Sequence, residues 1–398
     1  MAKYYVFYLG DVLPQPKAHL VQVSHSANAA ANLGYPAVLV SLQKDFRSLN
    51  PLNLIAPFRP RKPELKLLEF YHLQSRLKVA PLPMPYPIDR IRGKLTDSNT
   101  IACKYYLPVH LKPKTQIVHS RDWNFVKAAV KNEIPAIYEC HHYENKKYEP
   151  EIVNQRFLQV AVTVADTVRE NLIRNGMPPE KTVKLHNGFN QFFYERHPEA
   201  ARTWRQQLLT EKRDRLVVYA GALHTFKGID LLIEVASQLP NVQFALAGGP
   251  EKERQAYQEI VQSKQLENVA LVGYLPHKNL ASLLQAADLL VYPHLSGEAA
   301  NFTSPLKLFD YIAAGKPIVS TTIPSLDDFR SSPLIAGWCE PDSATELAGC
   351  LERVFSAYPQ WSPDHIHDRA LVEQYSWENR ISRILDFVDP SFRPQKLI

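Results

Sequence analysis

Short apolar, β-rich runs alternate with helix-length segments along nearly the whole chain, and this order constrains the fold more than any other feature. Residues 3–9 (KYYVFYL), 36–41, 116–119, 135–140, 159–164 and 182–185 read as strands, with helical spacing at 17–33, 122–131, 151–157 and 166–175 between them. Strands separated by helices cannot be joined as hairpins, so the sheet they build is parallel and doubly wound. Asn187-Gly188 marks a sharp turn, and the polar stretch from there to Arg202 reads as a linker. A second series follows: strands 215–220, 242–247, 269–272 and 289–292, another opening at Pro317, and helices 227–239, 251–263, 277–287 and 304–314. A chain of 398 residues exceeds one hydrophobic core, which fits two α/β domains of ordinary size.

Several function classes drop out on composition and spacing. The four cysteines, Cys103, Cys140, Cys339 and Cys350, are scattered without C-x-x-C or Cys/His metal spacing, so reduced structural thiols and no metal are expected. No stretch has signal-peptide order or an apolar run of about eighteen residues, and the expected location is the cytoplasm. The loop after the first strand is GDVLPQPKAH, which lacks the G-x-G-x-x-G of a dinucleotide enzyme. Net charge is +6, yet residues 51–120 hold twelve Lys or Arg against four acids, or +8, leaving the rest at −2. Pro-rich and aromatic stretches there (APFRPRKPELKLLEFYHL) read as a surface excursion. An anionic acceptor or an anionic membrane surface at the inner face is a candidate partner; a solvated basic surface is the plain alternative. Nucleic acid is excluded, since no RNP-like aromatic motif or finger spacing accompanies the charge.

Residues 303–319, TSPLKLFDYIAAGKPIV, carry clear helix punctuation: Ser304 as N-cap, Pro305 at the first helical position, Gly315 as the stop. Thr303, Lys307 and Asp310 share one face by three- and four-residue steps. The helix start attracts phosphate through its unpaired N–H groups, and Asp310, roughly 9 Å along the axis, could accept ribose hydroxyls. A Lys307–Asp310 surface pair is the bland alternative. The loop GALHTFKG at 221–228 offers Gly221 and Ala222 for close backbone approach and the Lys227 ammonium for a phosphate. Neither loop is a Walker A, which excludes a kinase or ATPase of that type. In the first domain, YECHHYENKKY follows a strand and places His141 where open α/β sheets bind ligands. Arg121 holds the equivalent place after the preceding strand, where it could meet an acceptor or a phosphate, with an Arg121–Asp122 salt bridge as its plain explanation.

In order and spacing, YAGALHTFKGIDLLIEVA, FALAGGP, VALVGYLPHKNLASLLQAADLLVYP and SPLKLFDYIAAGKPIV resemble the nucleotide-sugar domain of GT-B glycosyltransferases, in particular the retaining glycosyltransferase family four. PKAHLVQVSHSANAAANLGYPAVLV, VHSRDW, IPAIYECH and VTVADTVRENLIRNGMPPEKTVKLHNGFN extend the likeness to the N-terminal half, and YSWENRISRIL is similar to the family's closing helix. The resemblance implies a GT-B fold of two Rossmann-like domains facing a cleft. They would be an acceptor-side domain at 1–195 with a basic insertion near 51–100, a donor domain at 196–375, and a segment 376–398 that crosses back to the first domain. It implies Lys227 on the diphosphate, Asp310 on the ribose, Thr303 and Ser304 backbone N–H groups on the terminal phosphate, and Gly273 and Tyr274 at the base with Gly248 nearby. His141 would contact the transferred sugar. No cofactor is implied beyond the nucleotide-diphosphate sugar as co-substrate, and the absence of Asp-x-Asp accords with metal independence.

This chain departs from the family at three places. Ala222 stands where an arginine is common, Phe302 and Asp310 replace a Glu-x7-Glu pair, and PQPKAH replaces the glycine-rich first loop. Glu298 and Asn301 are then the candidates for the sugar hydroxyls, while Lys17 and His19 are candidates to approach the donor phosphates or the acceptor. Sugar transfer to an acceptor sugar, glycan or lipid is the function implied. A catalytically silent nucleotide-sugar binder and a GT-B epimerase are its rivals.

Overall fold

The computed structural model describes residues 3–45, 55–84, 97–302, 306–362, 365 and 368–397. Two compact units divide the chain, Met1–Asn187 with Trp377–Ile398, and Gly188–Ser376. In the first unit, seven strands form a sheet in the order β3-β2-β1-β4-β5-β6-β7. These are β1 (Tyr4–Tyr8), β2 (Ala37–Gln43), β3 (Lys78–Pro83), β4 (Thr115–Ser120), β5 (Ala136–Glu139), β6 (Leu158–Thr163) and β7 (Thr182–Lys184). Every pairing is parallel, with Tyr5 opposite Ala37 on one side and Ile117 on the other. Helices cover both faces of such a sheet, so its central strands lose their alternation and read as continuous apolar runs. AVLVS in β2 and AIYE in β5 are buried throughout.

Two sequence expectations are corrected in this unit. Part of the basic excursion is core: Lys78–Pro83 pairs with β2 as the sheet's edge strand, and Phe58, Tyr71, Leu77, Ala80 and Leu82 are buried. Prolines at 81 and 83 obscured it, and an edge strand tolerates them because, among the described residues, its outer side carries only an isolated bridge, between Val79 and Arg61. Asp122 does not pair with Arg121; its side chain accepts from the Phe125 N–H and caps helix Trp123–Lys131.

The second unit repeats the plan with six strands in the order β10-β9-β8-β11-β12-β13. They are β8 (Arg215–Ala220), β9 (Val242–Ala247), β10 (Val269–Gly273), β11 (Leu289–Tyr292), β12 (Ile318–Thr321) and β13 (Gly337–Cys339). One core layer, with Leu284, Leu308, Phe309 and Phe329, covers one face; Ile229, Leu232, Val235, Leu347 and Leu351 cover the other. Each such side chain stabilises by about 1.5–3 kcal/mol on burial. The stretch that reads as a linker is helical here, at Gln191–Tyr194 and Pro198–Leu208, and belongs to the second unit. Trp204 anchors it by donating to Ser282 Oγ at 3.0 Å.

Helix Trp377–Asp386 returns to the first unit and packs on helix Ala18–Asn32. There Asn32 Nδ2 donates to Glu378 Oε1 at 2.8 Å, and Trp377 stacks on His25. The charge divides with the units. The first holds thirty Lys or Arg against eighteen acids, +12, and the second sixteen against twenty-two, −6. Among the described residues no helix is long and apolar enough to cross a membrane.

Candidate functional site

In the second unit, the carboxyl ends of β8, β9 and β10 bring three glycines together. Gly221 N–H donates to Ala247 O at 2.9 Å, and Gly248 N–H to Gly273 O at 2.7 Å. Gly248 has φ +122, and a Cβ there would lie 2.0 Å from Gly221 O, so only glycine lets these backbones meet. Tyr219 OH donates to Ala222 O at 2.6 Å and fixes the loop that follows β8. That loop ends in the turn Thr225–Lys227 and is pressed on the chain beyond β11: a Cβ on Gly228 would stand 1.9 Å from Pro293 O, and Leu295 N–H bonds Phe226 O.

Lys227 is thereby held with its ammonium 5.2 Å from the centre of the Phe226 ring and 5.7 Å from that of Tyr292. Among the described residues it has no carboxylate partner. Burial lowers its pKa from the usual 10.5 to about 8. An ammonium partly withdrawn from water thus sits over Tyr292 at the end of β11, on the loop that leaves Gly221. His294 joins this group: it is buried, its Nδ1 is 2.9 Å from Leu295 O, and burial together with Lys227 lowers its pKa to about 4.

Helix Leu306–Ala314 reaches the same strand end through Tyr311, whose hydroxyl accepts from Ala220 N–H at 2.6 Å and donates to Ala220 O at 3.2 Å. Asp310, the preceding residue, is buried. Burial raises its pKa, opposed by Lys307, which it bonds at 2.9 Å. The Lys307–Asp310 pair therefore forms, so Lys307 is committed to the carboxylate. Tyr274 and Glu298 are exposed and Asn301 half-buried. Thr303 and Ser304 lie outside the described residues, as does the Phe302 side chain.

At the carboxyl ends of β4 and β5 in the first unit, Glu139 is the hub of a buried polar cluster. Its Oε1 accepts from Gln22 Nε2 (2.9 Å), His141 Nε2 (2.7 Å) and Arg380 (2.6 Å), and its Oε2 from His119 Nε2 (2.7 Å). Burial pushes this carboxyl up, but Arg380 and the two histidines outweigh it and hold the pKa well below the usual range. Tyr5 OH donates to His119 Nδ1 at 3.0 Å. His141 has its second nitrogen 3.3 Å from Arg121, and burial, then Arg121, lowers its pKa to about 3. It is a neutral ring with both nitrogens engaged, so contact with a sugar would have to replace the Arg121 bond. Lys17 and His19 both pair with Asp11 at 3.4 Å.

Sequence reasoning singled out Lys227, Asp310, His141 and Arg121, and missed Tyr311, His294, Glu139 and Arg380. Tyr311 and Glu139 each stand within two residues of a chosen position, where a polar side chain in a buried run was the available signal. Nothing in the sequence linked residue 380 to residue 139.

Two doubly wound parallel sheets with a returning last helix are the GT-B fold. HepE of Anabaena, solved with UDP-glucose, matches with a TM-score of 0.67 over 96% of this chain and 99% of its own, at 15% identity. A glycosyltransferase from Rickettsia africae matches with a TM-score of 0.68 over 96% and 97%, also at 15% identity. In sequence, residues 200–360 match the profile of the family described as Glycosyl transferases group 1. The D-inositol 3-phosphate glycosyltransferase of Mycobacterium bovis is 27% identical over 173 residues, 42% of this chain and 35% of its own length. The chain thus spans about a third of the curated relatives it matches.

Proposed function

We propose that this protein is a retaining glycosyltransferase that moves a sugar from a nucleotide-diphosphate sugar to an acceptor met by the first unit. One observation carries the reading: a half-buried ammonium, Lys227, without a carboxylate partner among the described residues, on the loop that leaves β8 where Gly221, Gly248 and Gly273 let the strand ends meet without side chains. A diphosphate supplies the missing charge. Asp310 would take the ribose hydroxyls, at the cost of loosening its bond to Lys307. Tyr274 and Gly273 would meet the base, with Glu298 and Asn301 on the sugar and the Thr303 and Ser304 amides on the terminal phosphate. UDP-glucose, the ligand of the Anabaena relative, is the first donor to try.

Transfer breaks the bond between the anomeric carbon and the diphosphate oxygen, and charge gathers on the leaving group. Lys227 neutralises that charge, and the departing oxygen takes the proton of the acceptor hydroxyl as the new glycosidic bond forms on the same face. A positioned donor of this kind contributes about 10²–10³ in kcat. Among the described residues no cluster of three or more His, Cys, Asp or Glu could hold a metal. The acceptor is a sugar, glycan or lipid, and the +12 first unit favours an anionic one, reached in the cytoplasm or at the inner membrane face. A silent donor-binding protein is the second reading, favoured by Ala222, which puts no cation opposite Lys227; a GT-B epimerase would alter the donor with no acceptor. Incubation with UDP-glucose, followed by nucleotide and sugar analysis, decides among them. Slow UDP release that falls about 10²-fold in Lys227→Ala supports transfer. UDP-glucose bound but unchanged would overturn it.

A further inference from the structure

We infer that the carboxyl ends of β4 and β5 form an oxyanion-binding site centred on Arg121, which takes a phosphate or carboxylate group of the acceptor. The word acceptor rests on the transferase reading; the site itself does not.

The cluster at these strand ends carries a charge imbalance. Glu139 is the carboxylate of this buried cluster, and four donors already occupy its two oxygens. Arg380 is one of them and is itself buried, yet its second terminal nitrogen has no hydrogen-bond partner among the described residues. Arg121 is left with two neutral contacts through one nitrogen, Gln22 Oε1 at 3.4 Å and His141 Nδ1 at 3.3 Å. Both are long. Two guanidiniums therefore share one buried carboxylate, which also takes an N–H from each of two histidines.

The other acids nearby are committed elsewhere. Asp122 caps a helix, Glu144 pairs with Lys146 and His142, Asp11 pairs with Lys17 and His19, and Glu149 pairs with Lys127. Among the described residues Arg121 has no ion pair. A guanidinium largely withdrawn from water without a counter-charge is costly, and burial accordingly lowers its pKa. Its Nε and second terminal nitrogen make no contact among the described residues. That edge of the guanidinium is the planar fork that grips two oxygens of a phosphate or carboxylate at once. The alternative is that Arg121 serves only to hold the His141 ring by its Nδ1.

The test is a calorimetric titration of orthophosphate into the full-length protein with UDP saturating the second unit. One saturable site is expected in the millimolar range or tighter. Arg121→Lys, which keeps the charge but loses the fork, should weaken it about tenfold. Arg121→Gln, which keeps an N–H for His141 but no charge, should abolish it. Circular dichroism melts confirm that each variant is folded, and Arg121→Lys judges the matter if Arg121→Gln is not. Undiminished binding in Arg121→Gln would show a ring-holding role alone and overturn the site, as would no saturation of the native protein up to about 50 mM. Phosphatidylglycerol vesicles that compete with orthophosphate would identify a lipid headgroup as the source; vesicles that do not compete would identify a soluble acceptor. If UDP fails to bind while orthophosphate does, the transferase reading falls and the oxyanion site stands.

Discussion

Lys227 shows how one side chain can carry a pH dependence. On the proposed reading its ammonium is the form that binds a diphosphate, and burial lowers its pKa in the free protein to about 8. A bound anion raises that value, so UDP affinity is full below pH 8. Above it, affinity falls by up to about tenfold per pH unit until the bound-state pKa is reached. Calorimetry at pH 7, 8 and 9 checks this, and Lys227→Ala should bind weakly with that slope gone. The same slope in the variant would remove Lys227 from the site. Its neighbour Gly228 (φ +76) is held by space as well as conformation, because a Cβ would meet Pro293 O at 1.9 Å. At Gly297 (φ +123) a Cβ meets nothing within 4 Å. Gly297→Ala should therefore cost only backbone strain, about 1–3 kcal/mol, whereas Gly228→Ala adds a backbone clash and should cost more. Urea denaturation of the two variants compares them directly, and equal costs would refute the close packing of the 221–228 loop on Pro293.

The last helix, Trp377–Asp386, matters less for its own stability than for the guanidinium it delivers. Arg380 donates to Glu139 and to His186 O at 2.7 Å, and thereby ties the end of the chain to the end of β5. Removing one partner of a buried ion pair costs about 3–5 kcal/mol, so Glu139→Gln should lose that much in urea denaturation near neutral pH. Glu139 has its folded pKa below the usual 4.5, so its contribution is present above that pH and is lost as pH falls through the depressed value. The variant's deficit should accordingly shrink in acid; a deficit independent of pH would mean that packing, not charge, is the cause. Truncation after Ser376 should destabilise the first unit at least as much as Glu139→Gln, because it also removes Trp377. The parallel strand–helix alternation and most helices were legible in the sequence, since continuous apolar runs and helical spacing are local signals. The Arg380–Glu139 contact spans 241 positions, and no local pattern encodes it. Lys78–Pro83 was hidden for a different reason: its prolines deny a strand everywhere except at an edge. In the site, glycines and Lys227 could be read because close approach demands particular residue types. The engagement of both His141 nitrogens could not, because it depends on side chains from the ends of two strands, Glu139 at β5 and Arg121 just past β4.

At the scale of the whole chain, two sheets with separate cores carry opposite charge, +12 and −6. The positive charge does not follow the diphosphate. On the proposed reading Lys227 and its glycines belong to the acidic unit, where one half-buried ammonium gives a local and selective attraction. The basic unit offers a diffuse one, screened beyond about 8–10 Å at ordinary salt. Nucleotide binding should then be nearly independent of ionic strength, while contact with an anionic acceptor or membrane should weaken steeply with salt. A ligand at a hundred times its Kd stabilises the state that binds it by about 2.7 kcal/mol. Hydrogen exchange with saturating UDP should therefore slow the amides of β8, β9, β10 and helix Leu306–Ala314 by up to about a hundredfold, with those of β4 and β5 nearly unchanged. Protection concentrated on β4 and β5 instead would place the nucleotide at the Glu139 cluster, and the assignment of Lys227 to the donor would be wrong.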